Sequence, residues 1–384
     1  MIIKNNFFKN YFNNSKQYNQ NLAKTKKFFK NFLLDLKNDE IPLLKSYEKS
    51  YEYDFTKKTI KKFSKYNNII VIGIGGSILG TKSIYSFFKS RVKKKIFFFD
   101  NLDLNLLSNY KKIKNLKNSC FVVVSKSGNT LETLTNLGVI FSKKIMKNRL
   151  VIITEIKDSS LMNFADKHNA EVIEHKKFIG GRYSVLSESS MFPSALMGLN
   201  LKKFKNLQTL IRNKKFTSSL IHNVAAIYTL YSKKINNSII LNYNSNLNDL
   251  GFWYQQLVAE SLGKKGKGIN PVLSTAPKDH HSLLQLYLDG PKDKFFTFFS
   301  TFNKSNKIID VTLNAQCRAT KNIFSKRKIP FREFIFKKND EGELGLIFTF
   351  FVLETILLSY LMNINPYDQP AVEQIKIETK KYLR

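Results

Sequence analysis

The chain has 384 residues, of which 43% are hydrophobic and 13% aromatic, and this composition excludes intrinsic disorder and collagen-like repeats. Its net charge of +34 would suit a nucleic acid or an anionic membrane, but 55 of the 63 basic residues are lysines, whereas nucleic-acid readers favour arginine. We therefore attribute most of the charge to compositional bias and expect neither a specific nucleic acid nor a membrane as partner, although an anionic small substrate would benefit from the field.

The N-terminal segment, residues 1–50, predicts polar helices rich in lysine and asparagine, and it carries no recognisable chemistry. No apolar run of signal-peptide length develops after Met1. Cys120 and Cys317 are too few for a disulfide framework and belong to no metal-binding pattern. We therefore expect a protein of the reducing cytoplasm.

From Ile69 onward, short apolar runs alternate with turns rich in glycine or serine and with amphipathic stretches. This alternation predicts an α/β fold in which parallel strands are covered by helices on both faces. A stretch rich in lysine and asparagine at 201–216 separates two such regions, so we expect one domain over 51–210 and a second, with a C-terminal helix, over 211–384. The predicted strands are 69–74, 96–99, 120–124, 150–154, 238–241, 295–300 and 307–311.

Helices are predicted at 218–233, at 247–262 and in a long apolar segment that ends near Asn363. Residues 344–362 of that segment are almost enough to cross a bilayer. Glu354 lies in the middle, and the hydroxyls of Thr349, Thr355 and Ser359 dilute the run. These polar residues favour a helix buried within a soluble protein over a membrane span.

The first glycine-rich loop, residues 71–80, joins a predicted strand to a helix. A dinucleotide fingerprint would need glycine where Ile78 stands, and a Walker loop would need lysine where Thr81 stands. The backbone around Gly76, with the hydroxyl of Ser77, would suit a sugar phosphate. A purely structural turn explains this loop equally well.

A second loop follows the predicted strand 120–124 and contains Ser125, Lys126, Ser127 and Thr130. Three hydroxyls and several amides at a helix N-terminus predict a site for a phosphate monoester. The alternative is an ordinary Ser/Thr helix cap. Capping explains one hydroxyl but leaves the other two without a role.

The run Ser-Lys-Ser-Gly-Asn-Thr-Leu-Glu-Thr at 125–133 resembles the phosphate loop of sugar isomerase (SIS) domains, and five further segments are similar to the phosphoglucose isomerase family. They follow the family's order: Gly-Gly-Ser at 75–77, Gly-Gly-Arg-Tyr-Ser at 180–184, Ala-Glu-Ser-Leu-Gly-Lys at 259–264, Asp-His-His-Ser at 279–282, and Asp-Gln, Val-Glu and Lys at 368–369, 372–373 and 376. The resemblance implies two SIS-type three-layer αβα domains and a homodimer with an active site shared between subunits. It also implies the interconversion of glucose 6-phosphate and fructose 6-phosphate without a cofactor or metal.

The resemblance also implies roles for individual residues. Glu260 would transfer the proton, Arg182 would lie beside the reacting carbons, and His281 with Lys376 would open the sugar ring. The expected phosphate and sugar contacts are Gly76, Ser77, Ser125, Lys126, Ser127 and Thr130, with Gln369 closing over the substrate. The residue types fit an enediolate reaction, which needs a base, an oxyanion partner and an acid/base pair.

Each catalytic candidate has a simpler interpretation. Glu260 shares a predicted helical face with Trp253 and Leu257, where partial desolvation would suit a base, but it could instead pair with Lys264 on an exposed surface. Lys376 follows Gln369 by seven residues, which would place both on one helix face, although most lysines are simply solvated.

The adjacent histidines His280 and His281 suggest a metal at first sight. Neighbouring side chains diverge, however, and no third ligand has suitable spacing, so we expect no metal. His280 stands where glutamine is common in the family, and its role stays open.

Two other functions are also compatible with the sequence alone. A non-catalytic SIS module that binds a sugar phosphate would need only the phosphate loop. Nucleic-acid binding driven by the net charge would need a defined site and a steep dependence on salt. The chain is also shorter than many family members, and Pro370 follows Gln369 where other members can carry a bulkier residue.

Overall fold

The computed structural model describes residues 2–4, 11–12, 14–142, 146–301 and 306–383, so parts of the N-terminal prediction, at 1, 5–10 and 13, lie outside the described residues. The described strands form two five-stranded sheets. They are β1 (Ile2–Lys4), β2 (Asn68–Ile72), β3 (Lys95–Phe99), β4 (Ser119–Val124), β5 (Leu150–Thr154), β6 (Glu171–Glu174), β7 (Asn237–Asn242), β8 (Asn270–Thr275), β9 (Lys294–Thr301) and β10 (Phe331–Phe336).

Helices cover both sheets and connect their strands. They are α1 (Lys16–Lys37), α2 (Lys57–Ser64), α3 (Leu79–Phe87), α4 (Leu104–Lys111), α5 (Leu131–Ile140), α6 (Ser160–His168), α7 (Glu188–Leu196), α8 (Leu201–Phe204), α9 (Leu207–Arg212), α10 (Lys214–Ser232), α11 (Asn248–Leu262), α12 (Leu284–Asp289), α13 (Ile308–Lys326), α14 (Glu341–Met362) and α15 (Ala371–Tyr382). Short 3₁₀ turns at Gly75–Ser77, Gly181–Leu186 and Lys278–His280 carry several candidate site residues.

The first sheet has the strand order β3-β2-β4-β5-β6, and all its strands are parallel. The four strands predicted in this region are confirmed, and β2 and β4 are buried along their whole length. Strand β6 was not predicted, because its glutamates give it no continuous apolar run. The carboxyl ends of β2 and β4 are neighbours, so the two candidate loops begin side by side.

The second sheet has the order β1-β10-β9-β7-β8, with β1 antiparallel to β10 and the other pairs parallel. The strands predicted at 238–241 and 295–300 are confirmed as β7 and β9. The strand predicted at 307–311 is wrong, because α13 begins at Ile308. The β-branched residues there are exposed, and the helix is fixed by the burial of Cys317 and Phe324 further along.

The two sheets share one hydrophobic core, since Val122 of the first and Phe299 of the second belong to the same buried cluster. Helix α11 packs against α3, α14 and the second sheet and so links the two halves. The predicted helices at 218–233 and 247–262 correspond to α10 and α11. The division of the chain near residue 210 stays a prediction.

Helix α14 lies in this shared core. Of the described helices it alone is long and apolar enough to cross a membrane, yet 83% of its most apolar stretch is buried inside the protein. Glu354 is 2% exposed and forms an ion pair with Arg332 of β10, which is fully buried. The prediction of a buried core helix is therefore confirmed.

Candidate active site

The loop after β4 gathers its hydroxyls at the start of α5. Ser125 Oγ lies 2.8 Å from Thr130 Oγ1, and Ser127 Oγ lies 3.4 Å from the same atom. Gly128 takes a positive φ of 70°, which lets the loop turn back towards α6. Thr130 is the N-cap of α5 but makes no side-chain capping bond, so among the described residues the first N–H groups of α5 have no side-chain partner. This arrangement favours an anion site over the ordinary cap.

Lys126 extends from this loop towards the segment before Arg182. Its Nζ donates to the carbonyl of Lys177 at 2.8 Å and lies 3.6 Å from the Glu155 carboxylate. Partial burial lowers the pKa of Lys126 below its ordinary value, and the nearby Glu155 opposes that effect. The half-buried amine is therefore held by Lys177 and Glu155 at the side of this loop that faces the segment before Arg182.

The loop after β2 is packed directly against Arg182. A Cβ atom on Gly76 would lie 2.2 Å from the carbonyl carbon of Gly181, so this contact requires glycine. The Gly76 carbonyl also accepts a hydrogen bond from Ser184 Oγ at 3.2 Å. Ser77 is half-buried at the end of the same turn. Gly76 thus brings the two loops together through its backbone.

Arg182 is 3% exposed and uses all five of its N–H donors. Its Nε donates to Ser261 Oγ at 2.9 Å, and its Nη1 donates to Glu260 Oε2 at 3.1 Å and to Gln369 Oε1 at 2.8 Å. Its Nη2 donates to the carbonyls of Pro366 and Asp368. The guanidinium therefore joins the end of α11 to the segment between α14 and α15.

Glu260 lies near the C-terminus of α11, one helical turn beyond the buried Leu257. Its side chain is 31% exposed. One carboxylate oxygen accepts from Arg182 and the other from Gln256 Nε2 at 2.9 Å. The expected alternative, a pair with Lys264, does not form, because Lys264 contacts Asp368 instead. Glu260 is held by two donors at the boundary between core and cleft.

A cleft of about 730 Å³ opens beside Glu260. Its walls are the end of α11, the loop at 263–267 and the segment at 364–372, which includes Gln369. This volume lies within the range of small-molecule sites in proteins. A carboxylate and an amide, both hydrogen-bonded to the buried guanidinium of Arg182, thus line a cavity large enough for a hexose phosphate.

Known proteins are similar to this chain over most of its length. The sequence model of the family described as phosphoglucose isomerase matches residues 47–311. A glucose-6-phosphate isomerase of Methanocaldococcus jannaschii is 33% identical over 350 residues, which cover 84% of this chain and 86% of that protein. The chain belongs to the phosphoglucose isomerase family. Arg182, Glu260 and His281 lie within the matched residues, whereas Gln369 and Lys376 lie beyond them.

Solved structures confirm the predicted fold class. A hypothetical protein from Thermus thermophilus has a TM-score of 0.80 at 21% identity and covers 100% of this chain and 99% of its own. A glucose-6-phosphate isomerase from Chlamydia trachomatis has a TM-score of 0.70 at 19% identity, covering 85% of this chain and 71% of its own. The chain therefore has the two-sheet SIS architecture that the phosphoglucose isomerase motifs implied.

Two candidates of the phosphoglucose isomerase motif set lie apart from this cluster. His281 is exposed at the end of the Lys278–His280 turn, and no hydrogen bond or ion pair of the described residues joins it to Arg182 or Glu260. Its neighbour His280 lies 2.7 Å from the hydroxyl of Tyr243, and partial burial lowers the pKa of His280. His280 is therefore held by Tyr243, whereas His281 is exposed to solvent.

Lys376 is also exposed, and its Nζ pairs with Glu373 at 2.6 Å. Helix α15 begins at Ala371, so Gln369 precedes it and does not share a helix face with Lys376. That expectation is wrong, because Pro370 occupies the N-cap. Within the described residues, no group of three or more His, Cys, Asp or Glu side chains could hold a metal ion.

Sequence reasoning missed two side chains that shape the site. Gln256 binds Glu260 and lies one helical turn before it, so the i,i+4 spacing was a readable signal. Ser261 binds Arg182 Nε and lies 2.9 Å from the Tyr183 hydroxyl. Its place in the Ala-Glu-Ser-Leu-Gly-Lys motif was visible, but nothing in the sequence indicated the direction of its hydroxyl.

Proposed function

We propose that the chain is an aldose–ketose isomerase that interconverts glucose 6-phosphate and fructose 6-phosphate through a cis-enediolate, in glycolysis and gluconeogenesis. The observation that carries the proposal is that Glu260 and Gln369 line one cleft and both accept a hydrogen bond from the buried Arg182. The loops that bear the phosphate-binding candidates lie beside them, because β2 and β4 are neighbours and Gly76 touches Gly181.

The phosphate binds at the N-terminus of α5. Ser125, Ser127 and Thr130 supply hydroxyls, the helix dipole favours the anion, and Lys126 adds a positive charge. Ser77 and the backbone at Gly76 extend this site towards the sugar. These groups belong to the first sheet, whereas Glu260 belongs to α11. The phosphate group is therefore bound by one element, and the aldehyde end of the sugar reaches the base on the other.

Glu260 is the base that moves a proton between C1 and C2 of the opened sugar. In the direction of fructose 6-phosphate it takes the proton from C2, which leaves an enediolate, and returns it to C1 as the hydroxyl proton passes from O2 to O1. Its partly exposed carboxylate is oriented by Gln256 and Arg182, so it faces the cleft without losing its charge partner.

Arg182 stabilises the negative charge that develops on the enediolate oxygen. All five of its donors are already occupied, so the oxygen must replace one acceptor. The contacts to Glu260 and Gln369 are the ones at the cleft, whereas the two carbonyls and Ser261 hold the buried side of the guanidinium. Gln369 therefore shifts from Arg182 onto the sugar when the substrate binds.

Ring opening requires groups that the cluster lacks. We assign it to Lys376 and to His281 of the partner subunit, because His281 faces outward from its own subunit. Helix α15 supports a homodimer, since apolar side chains on it are exposed, with Ile375 at 70%. We place the enzyme in the cytoplasm, without a cofactor or metal.

Substitution Glu260→Gln tests the central role. We expect isomerase activity towards fructose 6-phosphate to fall about a thousandfold or more, because the amide cannot accept the proton. A phosphate-containing inhibitor should bind nearly as tightly as to the wild type, since the phosphate loop is untouched. Exchange of the C2 hydrogen of labelled glucose 6-phosphate with solvent should be lost in parallel.

Wild-type turnover in this variant would reject Glu260 as the base. A non-catalytic SIS module would give a different result. The intact wild-type protein would be stabilised by the sugar phosphate but would show no turnover and no exchange of the C2 hydrogen.

A further inference from the structure

The loop at 263–268 is fastened to the linker between α14 and α15. Lys264 Nζ donates to Asp368 Oδ1 at 2.7 Å and to the carbonyl of Asn365. Lys267 Nζ donates to the carbonyl of Met362 at 2.8 Å. The side chain of Lys264 is only 11% exposed, although it carries an ammonium. These contacts hold the linker against the end of α11, which also carries Glu260.

The same linker supplies three of the five acceptors around Arg182. They are the carbonyls of Pro366 and Asp368 and the side-chain amide of Gln369. Asp368 contacts both cations, with its carboxylate on Lys264 and its carbonyl on Arg182. The pKa of Asp368 lies below its ordinary value, chiefly because Lys264 donates to the carboxylate. A displacement of Asp368 would therefore disturb Arg182 directly.

We propose that Lys264 is a positioning residue for the isomerase reaction. By holding Asp368 and Asn365, it fixes the linker so that the carbonyls of Pro366 and Asp368 orient the guanidinium of Arg182 beside Glu260 and Gln369 stays at the cleft. Lys264 acts through Arg182 and Gln369 and needs no contact with the sugar. The proposal rests on the roles assigned above to Arg182 and Glu260.

Substitution Lys264→Met removes the donor while keeping most of the length of the side chain. We expect kcat for fructose 6-phosphate to fall about tenfold or more, with KM changed less than about threefold, because the phosphate loop belongs to another element. Lys202→Met is the control, since Lys202 is exposed, lies outside the cleft, and its side chain makes no hydrogen bond or ion pair within the described residues. It removes the same charge away from the cleft and should keep kcat within about twofold.

A double-mutant cycle with Asp368→Ala separates positioning from general destabilisation. Asp368→Ala removes the acceptor for Lys264 but leaves the backbone carbonyl, and its side chain is 52% exposed, so the variant should fold. We expect the single variant Asp368→Ala to lower kcat. When it is added to Lys264→Met, we expect Asp368→Ala to cause no further loss of kcat. Lys264→Arg, which restores donors at this place, should recover most of the activity.

Wild-type kcat in Lys264→Met, or losses that multiply in the double variant, would overturn the proposal. If Lys264→Met does not fold, Asp368→Ala alone tests the proposal. An unchanged kcat in Asp368→Ala would then count against the positioning role of Lys264. Arg182→Met distinguishes the role of Lys264 from the assignment of the active site itself. Full activity in Arg182→Met would reject the assigned site, whereas its inactivation beside an unaffected Lys264→Met would reject only the role of Lys264.

Discussion

Lys205 is a buried amine without a hydrogen-bond acceptor among the described residues. Its Nζ lies 3.8 Å from the ring centroid of Tyr53 and 4.3 Å from that of Tyr51, so two aromatic faces replace water around it. Burial lowers the pKa of Lys205 from 10.5 to about 7, although the neighbouring Glu188 opposes the effect. The charged form is therefore disfavoured in the folded protein.

The stability cost of Lys205 depends on pH. Between about pH 7 and pH 10 the unfolded chain holds a proton that the folded chain releases, so folding becomes more favourable as the pH rises. Below pH 7 both states are protonated and the full penalty is present. A substitution that removes the amine should therefore stabilise the protein most at low pH.

We predict that Lys205→Met raises the free energy of unfolding at pH 6 by on the order of 2 kcal/mol, after the loss of the cation–π contacts is subtracted. The gain should be clearly smaller at pH 9. Urea unfolding at both pH values measures it, with the exposed Lys202→Met as the control. An equal gain at both pH values would show that the buried charge is not the cause.

Individual site residues were predictable to different degrees. The hydroxyl-rich loop at 125–130 is a continuous run at a helix start, so a phosphate site could be proposed from neighbouring residues alone. The contact between Arg182 and Glu260 joins residues 78 positions apart, and only the family resemblance placed them together. The pair Lys264 and Asp368 spans 104 positions, and no local pattern indicated it.

At the scale of the elements, α14 is fixed to the second sheet by a buried ion pair. Arg332 Nη2 donates to Glu354 Oε1 at 2.9 Å, and Nη1 donates to the other carboxylate oxygen and to Asn223 Oδ1. Nε donates to Thr297 Oγ1 at 3.0 Å. Both charges are nearly inaccessible to water, so each depends on the other for compensation.

We predict that Glu354→Ala destabilises the protein by about 3–5 kcal/mol, because it leaves the Arg332 guanidinium buried without its carboxylate. The double variant Arg332→Met, Glu354→Leu should recover most of that loss, since it removes both buried charges. Urea unfolding measures the three proteins. Glu378→Ala, which breaks an exposed pair with Lys381, is the control and should change stability by about 0.5 kcal/mol or less. A loss in Glu354→Ala as small as in that control would contradict the argument.

The same residues explain which elements could be read from the sequence. Strands β2, β4 and β5 are buried continuous apolar runs, and they were predicted. Strand β10 was missed because Arg332 and Glu333 interrupt its apolar pattern, although both are buried and paired. Strand β8 contains Pro271, which disfavours a strand, and it lies at the edge of its sheet, where proline is tolerated. Contacts with other parts of the chain, and not a local sequence pattern, therefore determine that β8 and β10 are strands.

At the scale of the whole molecule, two features are not explained by contacts within a single chain. Helix α15 has no buried residue, and its apolar Ile375 and Ile377 are exposed. His281 faces outward, with no hydrogen bond or ion pair of the described residues linking it to the cluster around Arg182. A second subunit that covers α15 and receives His281 would account for both features.

A shared active site predicts complementation between two inactive variants. Glu260→Gln and His281→Asn should each abolish activity as homodimers. In a heterodimer of the two, one site receives both defects, whereas the other combines an intact Glu260 with an intact His281. Co-expression with two different affinity tags isolates this heterodimer, and we expect about half of the wild-type activity per dimer.

The control is a heterodimer of two differently tagged Glu260→Gln chains, which should stay inactive. If the mixed heterodimer is as inactive as its parents, both side chains act within one chain, and the outward position of His281 then requires a movement of the Lys278–His280 turn towards its own cleft.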